Sequence, residues 1–184
     1  MSEEILDIYN QEGVWQGTAP RSEVHQNGYW HKTAQVWLLN EKDELLLQLR
    51  SDDKDCFPGL WDISSAGHIP AGCDITESAV RELEEELGIK ADIESLQFLF
   101  EHVEPFEDPD LGHIDREIAQ VYLLEVSSGI KFQLQEEEVS AVRWIKYQDL
   151  LEDYYLNTDN YVYHEAHFIK LVDYLKNLKE NSDI

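Results

Sequence analysis

The chain is 184 residues long, 42% hydrophobic and 11% aromatic, which is enough apolar material for one domain with a real core. Its 39 acidic residues against 14 basic ones leave a formal net charge of −25. That balance excludes nucleic acid and anionic membrane surfaces as partners, because both are held mainly through Lys and Arg.

No apolar run reaches the roughly 18 residues of a membrane-spanning helix. The start Met1-Ser2-Glu3-Glu4 lacks the basic-then-apolar order of a secretory signal, so the expected compartment is the cytoplasm. In chain order, Ile5–Tyr9 and Val14–Thr18 flank the turn Asn10-Gln11-Glu12-Gly13 and read as a β-hairpin. Thr33–Asn40 and Glu44–Arg50 are strand-like and joined by Glu41-Lys42-Asp43. Trp61–Ser65 is a short strand running into a loop at Gly67.

Asp74 is placed to cap the next helix, with Glu77 completing a capping box. Ala79, Val80, Leu83 and Leu87 form its apolar stripe, and Gly88 ends it. Strands follow near Leu96–Val103, Glu117–Val126 and Val139–Ile145, then helices over Tyr147–Tyr155 and His164–Lys179. The last helix is expected to be packed by Tyr161, Tyr163, His164 and His167. Strands with interposed helices in mixed order predict an α/β (α+β) sandwich. The expected organisation is a single domain over 1–184, with a core at about 30–155, an N-terminal hairpin at 1–29 and a C-terminal helical extension at 156–184. Cys56 and Cys73 are too few and too far apart for a CxxC motif, and free thiols are expected.

The chemistry concentrates in Arg81-Glu82-Leu83-Glu84-Glu85-Glu86-Leu87-Gly88. At helical spacing Glu82, Glu85 and Glu86 fall within one arc, since positions i, i+3 and i+4 are neighbours. Three ionised carboxylates so close repel one another unless a cation sits among them. Mg²⁺ or Mn²⁺ suits an all-oxygen set. Arg81 can brace this face beside Glu77 and Glu85, whereas Glu84 points elsewhere and is solvated. Gly67, without a side chain, lets its own carbonyl and the helix approach the same ion.

The segment Gly67 to Ile89, GHIPAGCDITESAVRELEEELGI, closely resembles the Nudix box G-x5-E-x7-R-E-U-x-E-E-x-G-U, U being a bulky aliphatic residue. Gly67, Arg81, Glu82, Leu83, Glu85, Glu86, Gly88 and Ile89 occupy fixed positions, and Cys73 replaces the first glutamate. That replacement is expected to weaken metal binding or alter the loop. Phe57-Pro58-Gly59-Leu60-Trp61-Asp62 and the stretch from Val139 to Leu150 resemble the flanking parts of the same family. The resemblance implies a Nudix α/β/α sandwich with a mixed sheet. It implies water attack on phosphorus of a nucleoside diphosphate linked to another group, with Glu82, Glu85 and Glu86 as metal ligands or base and the Gly67 carbonyl as a further ligand.

Within the family the chain is most similar to the branch of isopentenyl-diphosphate isomerase, through its N-terminal hairpin, Glu23-Val24-His25, Trp30-His31 and the run from Trp61 to His68. That branch implies a catalytic cysteine at Ala66 and a glutamate at Glu117. With alanine at the first position, isomerisation is disfavoured. Glu117 remains an additional metal ligand or base.

His25, His31 and Lys32, ahead of the first core strand, are candidate substrate contacts. So is Arg50, whose fork matches phosphate oxygens. Glu136-Glu137-Glu138 reads as solvated charge. The expected activity is Mg²⁺-dependent hydrolysis of a diphosphate linkage in a small metabolite, with diphosphate binding without hydrolysis as the alternative. Substrate and oligomeric state stay open, a homodimer being among the options.

Overall fold

The side chains of one long strand divide the core in two in the computed structural model, which describes residues 3–54, 56–109 and 112–182. The outermost residues of both expected extensions, 1–2 and 183–184, lie outside that range. The strand is β3, Trp30–Asn40, placed after the hairpin β1 (Ile5–Tyr9) and β2 (Trp15–Pro20) and a short helix α1 (Arg21–Asn27). Ala34, Val36 and Leu38 pack against Ala79, Leu83 and Leu87 of helix α2, Ile75–Leu87. Trp37 and Leu39 point to the opposite face. There they meet Leu150 and Tyr154 of α3 (Leu150–Leu156) and Phe168, Leu171 and Leu175 of α4 (Glu165–Ser182). The period of two along β3 thus produces helices on both faces of a sheet, the expected α/β/α sandwich. Each fully buried aliphatic side chain in these layers contributes roughly 1.5–3 kcal/mol. Among the described residues, no helix is long and apolar enough to cross a membrane.

The sheet is mixed. One edge of β3 pairs in parallel with β8 (His113–Val126), in a register that sets His31 against Glu117 and Thr33 against Ala119. The other edge is shared in succession. β1 pairs at its start, β6 (Ser65–His68) pairs Thr33 with His68, and β4 (Glu44–Arg50) pairs Leu39 with Leu45. β4 carries β5 (Trp61–Asp62) and β9 (Val139–Lys146), while β7 (Gln97–Asp108) closes the far side against β8.

Several elements depart from the sequence expectation. Gly67 lies within strand β6 and not in a loop, paired with Ala34. β7 and β8 extend past the expected ends into a long hairpin. α1 was not anticipated: seven residues burying only Val24 and His25 carry too little periodicity to be read. Helix α2 behaves as its caps require. Asp74 Oδ1 accepts from the Thr76 and Glu77 amides at 2.8 and 3.1 Å, and Gly88 ends the helix at φ 70°. Its last carbonyls are taken by the following segment, where the Gln133 amide donates to Leu87 O at 2.9 Å and the Gln135 amide to Glu86 O at 3.0 Å.

Candidate active site

Where β3, β6, β8 and α2 converge lies a cavity of about 990 Å³. Its floor on the helix side is made by Glu82, Glu85 and Glu86, next to Gly67 of β6. The glycine is a steric requirement. A Cβ built there would sit 2.3 Å from Glu82 Cδ and 2.7 Å from Oε1. Arg81 bridges two of the acids, Nη2 reaching Glu82 Oε1 at 2.7 Å and Nη1 reaching Glu85 Oε2 at 2.9 Å, so its partners are Glu82 and Glu85 and not Glu77.

Burial is the leading cause of the acids' altered proton affinity. It pushes Glu82 up to about 7, with Arg81 opposing and Glu85 adding to the rise, and it pushes Glu86 up to about 8 against the neighbouring Ser65 hydroxyl. Glu86 Oε2 is buried without a hydrogen-bond partner among the described residues. Buried carboxylates with an orphan oxygen, next to a strand that approaches with no side chain, fit a hard divalent cation.

A second donor set, drawn from α1, β3, β6 and β8, adjoins the same cavity, with His25, His68, His113, Asp115 and Glu117 in its lining and His31 buried behind them. Ligand-type atoms of His25, His31 and His68 lie within 4.8 Å of one another, as do those of His25, His113 and Asp115 and those of His31, Asp115 and Glu117. His31 Nε2 is 3.4 Å from Asp115 Oδ1 and 3.9 Å from Glu117 Oε1; His25 and His68 bring their Nε2 atoms to 3.2 Å. His31 Nδ1 donates to Tyr29 O at 3.0 Å, which leaves Nε2 as the lone-pair nitrogen. That Nε2 and Asp115 Oδ1 are both buried without hydrogen-bond partners among the described residues.

Burial lowers His25 to about 4 despite Asp115, and lowers His31 and His68 as well, so all three imidazoles are neutral at physiological pH. Burial pushes Glu117 up to about 8, with Asp115 adding to the rise, while Thr33 Oγ1 donates to Glu117 Oε2 at 3.0 Å. Neutral imidazoles with carboxylates fit a transition ion better than Mg²⁺.

His25 and His31, expected as substrate contacts, therefore stand inside a metal-type donor set. Lys32 is not brought to the cavity at all. Alternation along β3 turns it to the face opposite His31, where its ammonium lies 4.7 Å from the Tyr9 ring. Arg50 does line the cavity, but its guanidinium is already engaged by Asp62 Oδ2 at 2.9 Å and by the carbonyls of Cys56 and Phe57. Arg21 of α1 and Lys54 join it in the lining, and neither was singled out by the sequence.

His164 does more than pack α4. It lines the cavity and meets the buried Asp62 Oδ1 at 3.1 Å. Burial alone would raise Asp62, but His164, Arg50 and the Ile63 amide outweigh it and hold the carboxyl well below its usual range. Cys73 is exposed and lies outside the lining, so the departure from the box falls away from the donor sets. His68, His113 and Asp115 were missed, although His113-x-Asp115-x-Glu117 on one face of a strand was a readable signal.

A cavity in an α/β/α sandwich, floored by a glutamate-rich helix after a glycine-bearing strand, defines a class of fold whose enzymes generally use divalent metals. The NUDIX domain matches residues 29–166, and the chain belongs to the Nudix hydrolase family. It is 45% identical to Nudix hydrolase 3 of Arabidopsis thaliana over 154 residues, which cover 81% of this chain and 20% of that protein; the chain thus spans about a fifth of that relative's length. It is 31% identical over 153 residues to the isopentenyl-diphosphate Delta-isomerase of Rhizobium rhizogenes, covering 82% of this chain and 71% of the isomerase. Among solved structures, DR0079 from Deinococcus radiodurans superposes with a TM-score of 0.66 at 21% identity, over 91% of this chain and 97% of that one.

Proposed function

We propose that the chain hydrolyses a diphosphate linkage in a small metabolite, using a divalent cation held by Glu82, Glu86 and the Gly67 carbonyl. The observation that carries this reading is the close approach of Gly67 to Glu82, beside a buried Glu86 oxygen that has no protein partner. A cation bound there, Mg²⁺ or Mn²⁺, would neutralise diphosphate charge and acidify water.

The chain's own residues supply the rest. Arg21 and Lys54, the latter paired with Glu138, offer positive charge to the diphosphate oxygens in a protein that is otherwise strongly anionic, while Arg50 is committed to Asp62 and the Cys56 and Phe57 carbonyls. Glu85, half exposed and braced by Arg81, reaches the cavity from the same helix face and accepts the proton of the attacking water. The water oxygen bonds to phosphorus as the bridging P–O bond breaks. Glu117, with His25, His31, His68 and Asp115, would hold a second ion such as Mn²⁺, which would supply further positive charge towards the diphosphate.

Ala66 lines the cavity and carries no group that can give or take a proton, which favours hydrolysis over isomerisation. The deciding experiment is a screen of nucleoside, sugar, isoprenoid and vitamin diphosphates with Mg²⁺ and with Mn²⁺. Release of a phosphomonoester from at least one is expected. Binding without turnover at every metal concentration would refute hydrolysis, and conversion of isopentenyl diphosphate without phosphate release would overturn the Ala66 argument.

A further inference from the structure

One histidine beside the buried imidazoles has no part in the chemistry proposed for them. His113 opens β8 at the edge of the cavity, two residues before Asp115 and on the same face of the strand. Its ring stacks on that of His25, with centroids 4.5 Å apart and planes inclined by 18°, and its Nε2 lies 3.8 Å from Asp115 Oδ2. The fold fixes this neighbourhood. Gly28, which ends α1 at φ 62°, packs so closely on β8 that an added Cβ would lie 2.6 Å from Ile114 Cγ2, and Arg116 Nη1 donates to Gly28 O at 3.2 Å. His25 on α1 and His113 on β8 are thereby held as neighbours.

Burial orders these donors from inside to outside. The exposed share of the side chain is 1% for His31, 9% for His25 and 22% for His113. The donors fall into overlapping groups, an inner one of His25, His31 and His68 and an outer one of His25, His113 and Asp115. Among the described residues, no group of donor atoms within 4.8 Å joins His113 to His31 or to Glu117. Asp115 serves both sides: Oδ1 is 3.4 Å from His31 Nε2, and Oδ2 is the oxygen that faces His113.

A neutral imidazole has one lone pair and serves one ion at a time. His25 belongs to both groups, so the two positions cannot be filled together with full ligand sets, but they can be filled in succession. An ion arriving with its water shell meets His113 first, the more exposed of the two imidazoles in the outer group. There it exchanges water for His113, His25 and Asp115 Oδ2. It then moves inward along Asp115, from one oxygen to the other, as His31 takes the place of His113.

We infer that His113, with His25 and Asp115, forms an outer loading position that takes a divalent transition ion from solvent and passes it to the buried set around His31. The inference rests on the reading of that buried set as a metal centre, and it adds the route by which the ion enters and leaves.

The test uses the full chain and Co²⁺, whose visible absorption reports imidazole ligation, with excess Mg²⁺ present to fill the all-oxygen carboxylate site. Loss of one supporting group at a metal site costs about 10–100-fold in affinity. Where that group serves only the outer position the cost appears in the rates, because flux inward is proportional to outer occupancy. His113→Ala should slow Co²⁺ uptake in stopped-flow mixing about tenfold, and slow release to excess chelator by the same factor, since departure retraces the entry path. The dissociation constant from equilibrium titration should therefore stay at the parental value. His113→Gln, which keeps bulk against His25, carries the same expectation should alanine disturb the fold, and melts of the metal-free proteins report folding. A parental uptake rate in a folded variant would overturn the loading position. So would faster release with a matching loss of affinity, which would make His113 an ordinary ligand of the bound ion. A parent that binds no Co²⁺ through imidazole would sink the buried metal centre and its loading position together. None of these outcomes depends on whether the chain hydrolyses a diphosphate, so the hydrolase reading stands or falls separately.

Discussion

Replacing Gly67 with alanine puts one methyl group where the glutamate helix and β6 touch. The added Cβ would lie 2.3 Å from Glu82 Cδ, 2.5 Å from Cγ and 2.7 Å from Oε1, against an ordinary contact of 3.4 Å or more. The carboxylate therefore has to retreat by about 1 Å, since 3.4 minus 2.3 is 1.1. Oxygen ligands of Mg²⁺ sit at about 2.0–2.1 Å with little tolerance, so a retreat of that size removes a ligand. A misplacement of about 1 Å costs on the order of 100-fold in rate. Stability should change far less. The group displaced is the end of a flexible side chain, Gly67 has no positive φ, and alanine is favoured over glycine in a strand by about 0.5–1 kcal/mol. The assay is steady-state hydrolysis of the best diphosphate substrate across a Mg²⁺ titration, with a thermal melt alongside. Turnover should fall about 100-fold and the Mg²⁺ midpoint rise, with the melting temperature within a few degrees of the parent. Adding Glu82→Asp, which shortens the side chain by one methylene, should restore part of the loss. A Gly67→Ala protein with the parental metal titration and rate would refute the placement of the cation at Glu82.

Glu86→Gln should abolish metal-dependent turnover by removing an anionic ligand, yet stabilise the metal-free protein above pH 8. Glu86 stands at about 8 against an ordinary 4.5, which at full ionisation is a native-state penalty of at most roughly 5 kcal/mol. A metal-free variant that melts at or below the parent temperature at pH 9 would contradict its burial. The raised Glu82, Glu86 and Glu117 contribute stability that is present below about 4.5 and lost as pH rises through 7 to 8, while the lowered His25, His31 and His68 contribute stability that is present above 6.5 and lost as pH falls, for His25 through about 4. Metal-free protein should therefore melt highest near pH 6, and the gap in melting temperature between Mn²⁺ and EDTA samples should widen from pH 6 to pH 9; a pH-independent gap would refute the linkage. Cys73→Glu, at an exposed site outside the cavity, should leave kcat/KM within about twofold, and Lys32→Ala should leave KM for the substrate unchanged. A tenfold loss in either would show a role the geometry does not assign.

The parts of the site legible in the sequence are those that the chain specifies locally. The arc of Glu82, Glu85 and Glu86 follows from helical spacing. Asp74 and Gly88 mark its ends through caps that involve only near neighbours. The histidine-rich set was not legible as a set, because it forms where α1, β3, β6 and β8 meet. The parallel pairing of His31 with Glu117 joins residues more than eighty positions apart, and nothing in either segment announces its partner. Lys32 was misplaced because His31 and Lys32 are adjacent in sequence and opposite in a strand. Phe57 gave no cue to its left-handed backbone at φ 54°, since such conformations are signalled by Gly, Asn or Asp, and here an arginine seven positions away enforces one.

The bonds from Gln133 and Gln135 to the end of α2 carry a consequence for how this protein can change. They pin the segment before β9 to Leu87 and to Glu86, whose carboxylate faces the cavity, so an insertion there would disturb the cavity floor directly. A Cβ at Gly88 would strike Gln133 at 2.6 Å, so that seam has no slack. The rim is built otherwise, from an arginine-held turn and the flank of a hairpin. Those two pieces can be exchanged without touching the floor, which makes them the natural place to graft a new substrate preference onto this scaffold.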